Sequence, residues 1–269
     1  MDAWEGRGLK RELIAAVFAC GLVAVPSVET THPQRSIALD HVVLAVNDLD
    51  ASAAKYRTLG FALKPGRPHA NGIRNEHVKF TDGTEIELLT APTATDALTR
   101  QYREHLADGD GPAFLSLFPR PVPPKPDETP GYIFYGQGNQ SPTDRPEHFA
   151  HANTAYRLAA VWLAGSDFAR ERALFGQYGA TGRAGRLDAL DAAAEVFPMG
   201  DGAVYLLPER LGIHRARPVI GVSVSIRDRA AAERLLTGAS VPFRTIRSSI
   251  VLEPSVTSGL WLEFATRRQ

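Results

Sequence analysis

Two polar residues in one loop are the first candidates for ligand chemistry. His69 and Asn75 lie beside Gly66 and Gly72, in a segment that glycines interrupt twice. Polar side chains in such loops often face a ligand, because loops on a rigid scaffold carry much of the binding chemistry of proteins. We therefore expect His69 and Asn75 to bind a substrate; the alternative is a solvated loop with no ligand.

A second pair, His151 and Asn153, lies just ahead of an apolar segment. We expect this pair to line the substrate pocket from the connection that leads into the segment. The alternative is that Asn153 only turns or caps the chain, which is a common use of asparagine.

Several classes of chemistry are excluded by the sequence. It has no Gly-rich phosphate loop, no Gly-x-Ser-x-Gly elbow and no His-Glu-x-x-His motif. Cys20 is the only cysteine, which rules out an intrachain disulfide, a CxxC redox pair and a cysteine-based zinc cluster. The 30 basic residues balance the 30 acidic ones, so no overall field favours nucleic acid. A small molecule is therefore the expected partner.

The elements that position these residues follow from a pattern that occurs three times. Each copy opens with a run of strand-forming residues, and the runs are 39–46, 158–164 and 219–226. Each copy closes with a second strand after a glycine, and these are 82–89, 201–207 and 258–264. Short extended segments precede each closing strand, so every copy contains four strands.

A helix is expected between the first and second strands of each copy. An acidic residue able to cap a helix follows each opening strand, and a glycine able to end the helix comes about one helix length later. The acidic residues are Asp48, Asp167 and Asp228, and the glycines are Gly60, Gly179 and Gly238. Each copy is thus a βαβββ unit.

One βαβββ unit cannot cover its own sheet, so the copies must pair and enclose a space between them. We predict an α+β fold of repeated βαβββ units, paired into cup-shaped mixed sheets. The alternation of side chains along a strand puts His41 on the same face as Val43 and Ala45. By the same rule, Glu87 shares its face with Glu85 and Leu89.

Three regions are expected along the chain. Residues 1–35 form a possible signal peptide and flexible leader. Residues 36–155 form a first half with a degenerate second unit and a proline-rich loop, and residues 156–269 form a second half with two further units. The apolar run 13–25 is too short to span a bilayer easily. If residues 1–26 are a signal peptide the protein is exported to the periplasm or secreted; otherwise it is cytoplasmic.

The sequence around His41 and Glu87 carries a family resemblance. Its most specific parts are Asp40-His-Val-Val-Leu-Ala-Val-Asn-Asp-Leu-Asp50, Leu59-Gly-Phe61 and Asp82-Gly-Thr-Glu-Ile-Glu-Leu88. Together these segments resemble the opening unit of the glyoxalase-like proteins of the vicinal oxygen chelate superfamily, which includes glyoxalases, bleomycin-resistance proteins and dioxygenases. The resemblance implies paired βαβββ units with a divalent metal inside the concave sheet.

Carried over by position, the resemblance implies His41 and Glu87 as metal ligands. Glu263 of the last unit is the third if the first and last units pair, and His151 is the alternative to any of the three. An imidazole with carboxylates suits zinc, manganese or iron, and a catalytic ion needs about three protein ligands. Glu87 and Glu263 are also the candidates for a catalytic proton-transfer base. The family pattern is incomplete, because the second unit has Ala159 and Tyr205 where ligands would repeat.

Two functions are compatible with this pattern, so the sequence leaves open whether the protein is an enzyme. One is a metal-dependent lyase, isomerase or oxygenase that acts on a small oxygenated molecule. The other is a protein of the same fold that binds or sequesters a small molecule without chemistry. A homodimer is compatible with both, since paired units can complete their cups within one chain or between two.

Overall fold

The structure, a computed structural model, describes residues 35–123, 129–213 and 217–266. The possible signal peptide, nearly all of the leader and the middle of the proline-rich loop lie outside the described residues. No helix in the described part of the chain is long and apolar enough to cross a membrane.

The first sheet contains six strands and one complete βαβββ unit. Its strands are β1 (Ser36–Ala45), β2 (Lys64–Pro65), β3 (Arg74–Lys79), β4 (Glu85–Thr90), β5 (Gly111–Arg120) and β6 (Ile133–Tyr135). Their order across the sheet is β2-β3-β4-β1-β5-β6. Strand β1 runs parallel to β4 and antiparallel to β5. The opening strand of the unit therefore lies between its own closing strand and β5.

The second sheet contains eight strands and two complete units. They are β7 (Ala155–Gly165), β8 (Arg183–Leu187), β9 (Ala192–Met199), β10 (Gly202–Pro208), β11 (Val219–Ile226), β12 (Arg244–Ile246), β13 (Ser249–Leu252) and β14 (Trp261–Thr266). Their order is β12-β13-β14-β11-β7-β10-β9-β8. The opening strands β7 and β11 pair antiparallel at the centre. The predicted α+β fold of paired βαβββ units is confirmed.

In the described part of the chain, four α-helices accompany the strands: α1 (Leu49–Thr58), α2 (Ala97–Leu106), α3 (Ala169–Gln177) and α4 (Arg229–Gly238). Asp48 and Asp228 cap α1 and α4, each accepting a backbone hydrogen bond at 2.9 Å. The prediction for Asp167 was displaced by one residue, because Phe168 is the N-cap of α3 and Asp167 instead accepts from Ala169 N at 2.9 Å.

The helix ends follow the predicted glycines in two cases of three. Gly60 and Gly179 take the left-handed conformation, with φ of 88° and 77°, just after α1 and α3. Gly238 does not, since it is the last residue of α4. The left-handed residue after α4 is Ser240, with φ of 55°, so the turn lies two residues beyond the glycine that was expected to form it.

One large core joins the two sheets on the faces that carry α1, α3 and α4. It contains Val42 and Leu44 of β1 together with Leu158 of β7 and Phe264 of β14, all of them fully buried. The opposite face of each sheet has its own smaller apolar cluster. We call these opposite faces the first cup, which carries His41, and the second cup, which carries Trp162.

Helix α2 covers one end of the first cup. Tyr102 and Leu106 of α2 pack with Val43, Ala45 and Leu89 of the sheet. The polar residues of the same face stand at the other end of these strands, outside that cluster. The helix therefore closes the apolar end of the cup and leaves the charged end to the loops.

Candidate functional site

His41 stands at a bulge of β1, where the pairing with β5 shifts between Leu39 and His41. Its side chain is buried, with 8% of the residue exposed. The imidazole Nδ1 lies 3.1 Å from Asp40 Oδ2, and the ring meets Phe134 edge-on with 5.3 Å between ring centres. The ring is therefore held on two sides.

The Asp40 carboxylate that holds His41 is itself fixed. It accepts hydrogen bonds from Ser116 Oγ at 2.9 Å and from Asn139 Nδ2 at 3.0 Å. Gly136 packs so closely that a Cβ there would lie 1.6 Å from Asp40 Oδ2. A carboxylate can only accept, so Nδ1 of His41 carries a hydrogen and donates it. In the neutral ring Nε2 is then the unprotonated nitrogen.

Glu87 faces the Nε2 side of His41, with 3.7 Å between Nε2 and Oε2. This separation is too long for a hydrogen bond, so the two groups do not satisfy each other. The other carboxylate oxygen, Oε1, accepts from Asn75 Nδ2 at 2.6 Å. Asn75 in turn packs against Gly66, where a Cβ would lie 1.8 Å from Asn75 Oδ1. Glu87 is thus anchored through one oxygen, and Oε2 is left toward His41.

The charges around His41 favour its protonated form. Burial by itself lowers the pKa of His41, but the hydrogen bond to Asp40 and the negative charges of Glu87 and Glu85 outweigh burial. The net result is a pKa raised above the ordinary value of the imidazole. His41 is therefore an imidazole whose protonated form is stabilised, and the carboxylate of Glu87 lies next to it.

A network of ion pairs continues along the same face. His77 Nδ1 lies 3.0 Å from Glu85 Oε1, and Lys79 Nζ lies 3.5 Å from Glu85 Oε2. Lys79 also pairs with Asp144 at 3.2 Å, and Lys64 pairs with the same carboxylate at 2.5 Å. Burial raises the pKa of Asp144, but the hydrogen bonds from Lys64, Ser141 and Lys79 lower it below its ordinary value. The buried charges are thus compensated.

A cavity of about 790 Å³ lies over this network. Its charged lining consists of Lys64, Arg67, Lys79, Arg145 and Glu85, together with several histidines. Neither His41 nor Glu87 is in the lining, but Asn75 and Glu85 are, and they connect the cavity to that pair. Because Lys64 and Lys79 already pair with carboxylates, Arg67 is the cation of this lining without an ion pair in the described part of the chain, and it could bind an anionic ligand.

His69 and Asn75, predicted from the loop, both line this cavity. Within the described residues, the buried atoms His69 Nε2 and Asn75 Oδ1 have no hydrogen-bond partner. Unpartnered buried polar atoms carry a free-energy penalty that a ligand or an ordered water removes. Their position is what a ligand-binding role requires.

His151 and Asn153 lie elsewhere and are used differently. His151 Nδ1 accepts from Ala62 N at 3.0 Å, and its Nε2 contacts the Lys79 carbonyl at 2.8 Å. Asn153 donates to the Leu59 carbonyl at 2.9 Å and accepts from Ala155 N at 3.0 Å. Their polar groups thus hold the backbone together, and neither residue lines the cavity over the first cup. Burial lowers the pKa of His151, as expected for a neutral structural histidine.

Glu263 stands in the second cup, on β14. It is 8% exposed and accepts from Ser223 Oγ at 2.6 Å, and Ser223 accepts from Trp162 Nε1 at 3.0 Å. It lines a different cavity, of about 530 Å³, with Tyr205 and Ser223. The structure does not bring Glu263 to His41 and Glu87, because the last unit pairs with the unit of β7 and not with the first.

The implied metal can be tested against the donors on the first cup. His41 Nε2 and Glu87 Oε2, 3.7 Å apart, are spaced as two neighbouring ligands of one ion, and Asp40 would orient the imidazole as carboxylates do behind metal-bound histidines. A third ligand is missing: the described residues contain no cluster of three His, Cys, Asp or Glu side chains suited to a metal. They therefore do not fit a centre with three protein ligands.

The loop of residues 137–144 is the part of the site that sequence reasoning missed. It supplies Asn139 to Asp40 and Asp144 to Lys64 and Lys79. These contacts span 60 residues or more of sequence, and no periodic pattern marks them. The available signal was the presence of Lys64 and Lys79 in segments predicted to be strands. A lysine that is buried in a sheet needs an acidic partner, so two acidic contacts could have been expected.

Comparison with known proteins gives one family match. Residues 39–118 match the family model described as a glyoxalase-like domain. No curated protein sequence matches the chain significantly.

Solved structures resemble the chain over most of its length. A 4-hydroxymandelate synthase variant from Streptomyces coelicolor has a TM-score of 0.60 and 13% identity, covering 87% of this chain and 93% of its own. The 2,3-dioxygenase LapB from Pseudomonas sp. KL28 has a TM-score of 0.56 and 11% identity, covering 86% and 92%.

A third structure is much longer than this chain. It is a xylose isomerase-like TIM barrel/4-hydroxyphenylpyruvate dioxygenase fusion protein with a TM-score of 0.53 and 12% identity. The match covers 86% of this chain but 49% of the fusion protein, so the chain spans about half of that length. At such identities the likeness to these structures shows the fold.

Proposed function

We propose that this chain, which has a glyoxalase-like domain and the vicinal oxygen chelate fold, is an isomerase or lyase that moves a proton on a small oxygenated molecule. The observation that carries the proposal is the His41–Glu87 pair. Its facing atoms are 3.7 Å apart and not hydrogen-bonded, while Asp40 and Asn75 hold the far side of each group.

The pair supplies a base and an acid at neighbouring points. Glu87 Oε2 accepts the proton from a carbon next to a carbonyl, so the C–H bond breaks and negative charge moves to the carbonyl oxygen. His41, protonated at Nε2, donates to that oxygen as the charge develops. Return of a proton to a different carbon or face gives an isomer, and loss of a leaving group gives a lyase product.

The first cup also offers a basis for substrate recognition. Arg67 lines the cavity beside the pair and makes no ion pair among the described residues, and guanidinium groups bind carboxylates and phosphates well. Substrates with an anionic group next to the reacting carbonyl are therefore the first to test. Metal assistance by zinc, manganese or iron remains the expectation from the family resemblance, and no step of this mechanism depends on it.

Solvent-exchange measurements test the proposal without a known product. A panel of small 2-oxo and 2-hydroxy acids is incubated with the protein in deuterated water, and loss of the C–H signal is followed by NMR. Exchange is expected for at least one compound, and it should disappear in Glu87→Gln and fall strongly in His41→Gln. Glu104→Gln, on the exposed face of α2, is the matched control.

Two results would contradict the proposal: no exchange with any compound of the panel, or equal exchange in wild type and Glu87→Gln. Elemental analysis of protein purified without chelator or nickel resin accompanies the assay. Stoichiometric metal that is lost in both His41→Gln and Glu87→Gln would show that the pair holds an ion and that the metal-free mechanism is wrong.

Binding without chemistry is the second candidate, and one observation favours it. His69 Nε2 and Asn75 Oδ1 are both buried in the cavity wall without partners in the described part of the chain, so the cavity is prepared for a polar ligand. Under this alternative, Glu87→Gln would bind the same small molecules as the wild type, and no exchange would be observed in either protein.

A further inference from the structure

A second polar cavity lies at the seam between the two sheets. Its volume is about 610 Å³, which is within the range of small-molecule sites. The first sheet contributes residues 36–40 of β1 and the end of β5, and the second contributes the start of β7 and the turn between β9 and β10. The loop at 137–140 also lines it, and that loop borders the cavity over the first cup as well.

Arg157 of β7 is the residue of this cavity that lacks a partner. Its Nε is buried and has no hydrogen-bond partner among the described residues. Its guanidinium is also in none of the ion pairs found in that part of the chain. A buried donor without a partner costs free energy, and an arginine is always charged. The Nε–H of Arg157 is thus an unsatisfied donor in the wall of this cavity.

Arg120, at the end of β5, lines the same cavity. Its guanidinium carbon lies 4.7 Å from the centre of the Phe118 ring. Stacking on an aromatic ring orients the guanidinium plane and leaves its edge, where the N–H groups lie, available for an anion. Over the described residues Arg120 also makes no ion pair, so the seam has two arginines without carboxylate partners.

Among the described residues, the carboxylates that line the seam form no ion pair with these arginines. Asp40 accepts from Ser116, Asn139 and His41, and Asp82 accepts from both the backbone and the hydroxyl of Thr84, at 3.0 and 2.7 Å. Asp201 is exposed at the rim. Two of the three carboxylates are already committed to other donors.

We infer that the seam cavity is a binding site for the carboxylate or phosphate group of a small molecule, held by Arg157 and Arg120. A guanidinium presents parallel N–H groups that match both anions. The site is separate from the acid–base pair, because neither His41 nor Glu87 lines the seam. It does not depend on the chemistry proposed for the first cup.

The experiment uses the full chain with inorganic phosphate and with succinate as probes, at constant ionic strength. The arginine Nε–H signals are followed by NMR, and the affinity by titration. The signal assigned to Arg157 should shift on titration. Affinity should fall about tenfold or more in Arg157→Gln and in Arg120→Gln, since one charge-assisted hydrogen bond is worth at least about a factor of ten. Arg170→Gln, on the exposed side of α3, is the matched control.

The two probes distinguish the source of the anion. Binding of phosphate alone assigns a phosphoryl ligand, and binding of succinate alone assigns a carboxylate ligand. If neither probe shifts the Arg157 signal, or if Arg157→Gln and Arg120→Gln bind the probes as tightly as the wild type, the inference is overturned. Arg157→Lys is a control for misfolding, because it keeps the positive charge but lacks the parallel N–H groups of the guanidinium. This variant should fold and should bind the probes more weakly than the wild type.

Discussion

The first and second cups are built from the same βαβββ geometry and differ in what their side chains are paired with. In the first cup, His41 and Glu87 face each other while Asp40 and Asn75 hold their outer sides. In the second cup, the carboxylate of Glu263 meets a serine, which in turn meets a buried tryptophan. One scaffold thus holds a facing histidine and glutamate in one half and a carboxylate bound to a serine in the other. The same fold can therefore carry different side-chain pairs, and any function must be argued from those side chains.

The largest expected effect separates the two cups directly. Glu87→Gln should lower the proton-exchange rate by about 10²–10⁴, the usual contribution of a general base. Glu263→Gln makes the same change in the second cup and should leave that rate within about twofold, as a residue with no role in the step. The rates are compared by NMR under saturating substrate. A comparable loss in both variants would break the distinction between the cups.

The next effect concerns the residue that orients His41. Asp40→Asn removes the hydrogen bond and the charge that raise the pKa of His41. Exchange should fall about 10- to 100-fold, as for other groups that orient an imidazole, mainly in kcat and less in KM. Asp201→Asn, exposed and of the same type, is the control.

The pH profile adds a readout that a loss of folding cannot produce. The donor at Nε2 exists only in protonated His41, so activity falls as pH rises through its pKa, which lies above the ordinary value. In Asp40→Asn this falling limb should move to lower pH. An unchanged limb would mean that Asp40 does not set the protonation of His41.

A smaller effect is expected for a substitution in the second cup, and this effect is on the stability of the protein. Ser223→Ala leaves the buried Trp162 N–H without its acceptor and Glu263 without its donor. The free energy of unfolding should fall by about 1–3 kcal/mol, measured by urea denaturation, while exchange at the first cup is retained. Loss of exchange with intact folding would reveal coupling between the cups.

The smallest effect belongs to His151, which lies outside both cups. Its pKa is lowered by burial, so the folded state resists protonation that the unfolded chain accepts. The stabilisation is present above the unfolded pKa of about 6.5 and is lost as pH falls below it; a tenfold weaker affinity for the proton corresponds to about 1.4 kcal/mol. His151→Gln should flatten the change in unfolding free energy between neutral and mildly acidic pH. An equally steep change in the variant would assign it to other groups.

The fold could be predicted from the sequence because its evidence is local. Strand runs, capping acids and helix-ending glycines recur in each unit, and alternation gives the face of each side chain within its own strand. The register between β1 and β4, which pairs His41 with Glu85 and Val43 with Glu87, is seen in the structure. Alternation does not tell which unit pairs with which. Glu263 was assigned to the cup of His41 for that reason, although its strand belongs to the other sheet.

The remaining parts of the site depend on contacts between distant segments. Asn139 and Asp144 reach Asp40 and Lys64 from a loop without regular structure, and a loop sequence does not reveal its partners. The same holds for Arg157, whose missing partner is visible only once the seam is formed. The unit pattern was local enough to predict, and the pairing of charges was not.

The glycine at position 136 has a consequence for how mutational scans of this protein would look. Any side chain there would push into Asp40, since even a Cβ comes within 1.6 Å of its carboxylate. Gly136 is not in the lining of the cavity over the first cup, yet a larger side chain there would displace the Asp40 carboxylate that holds His41. In a mutational scan for activity, substitutions at Gly136 would therefore be tolerated as poorly as those at a catalytic residue. In a scan for protein abundance they would be tolerated better. The difference between the two scores would measure how strongly the backbone at this position controls the orientation of the His41 ring.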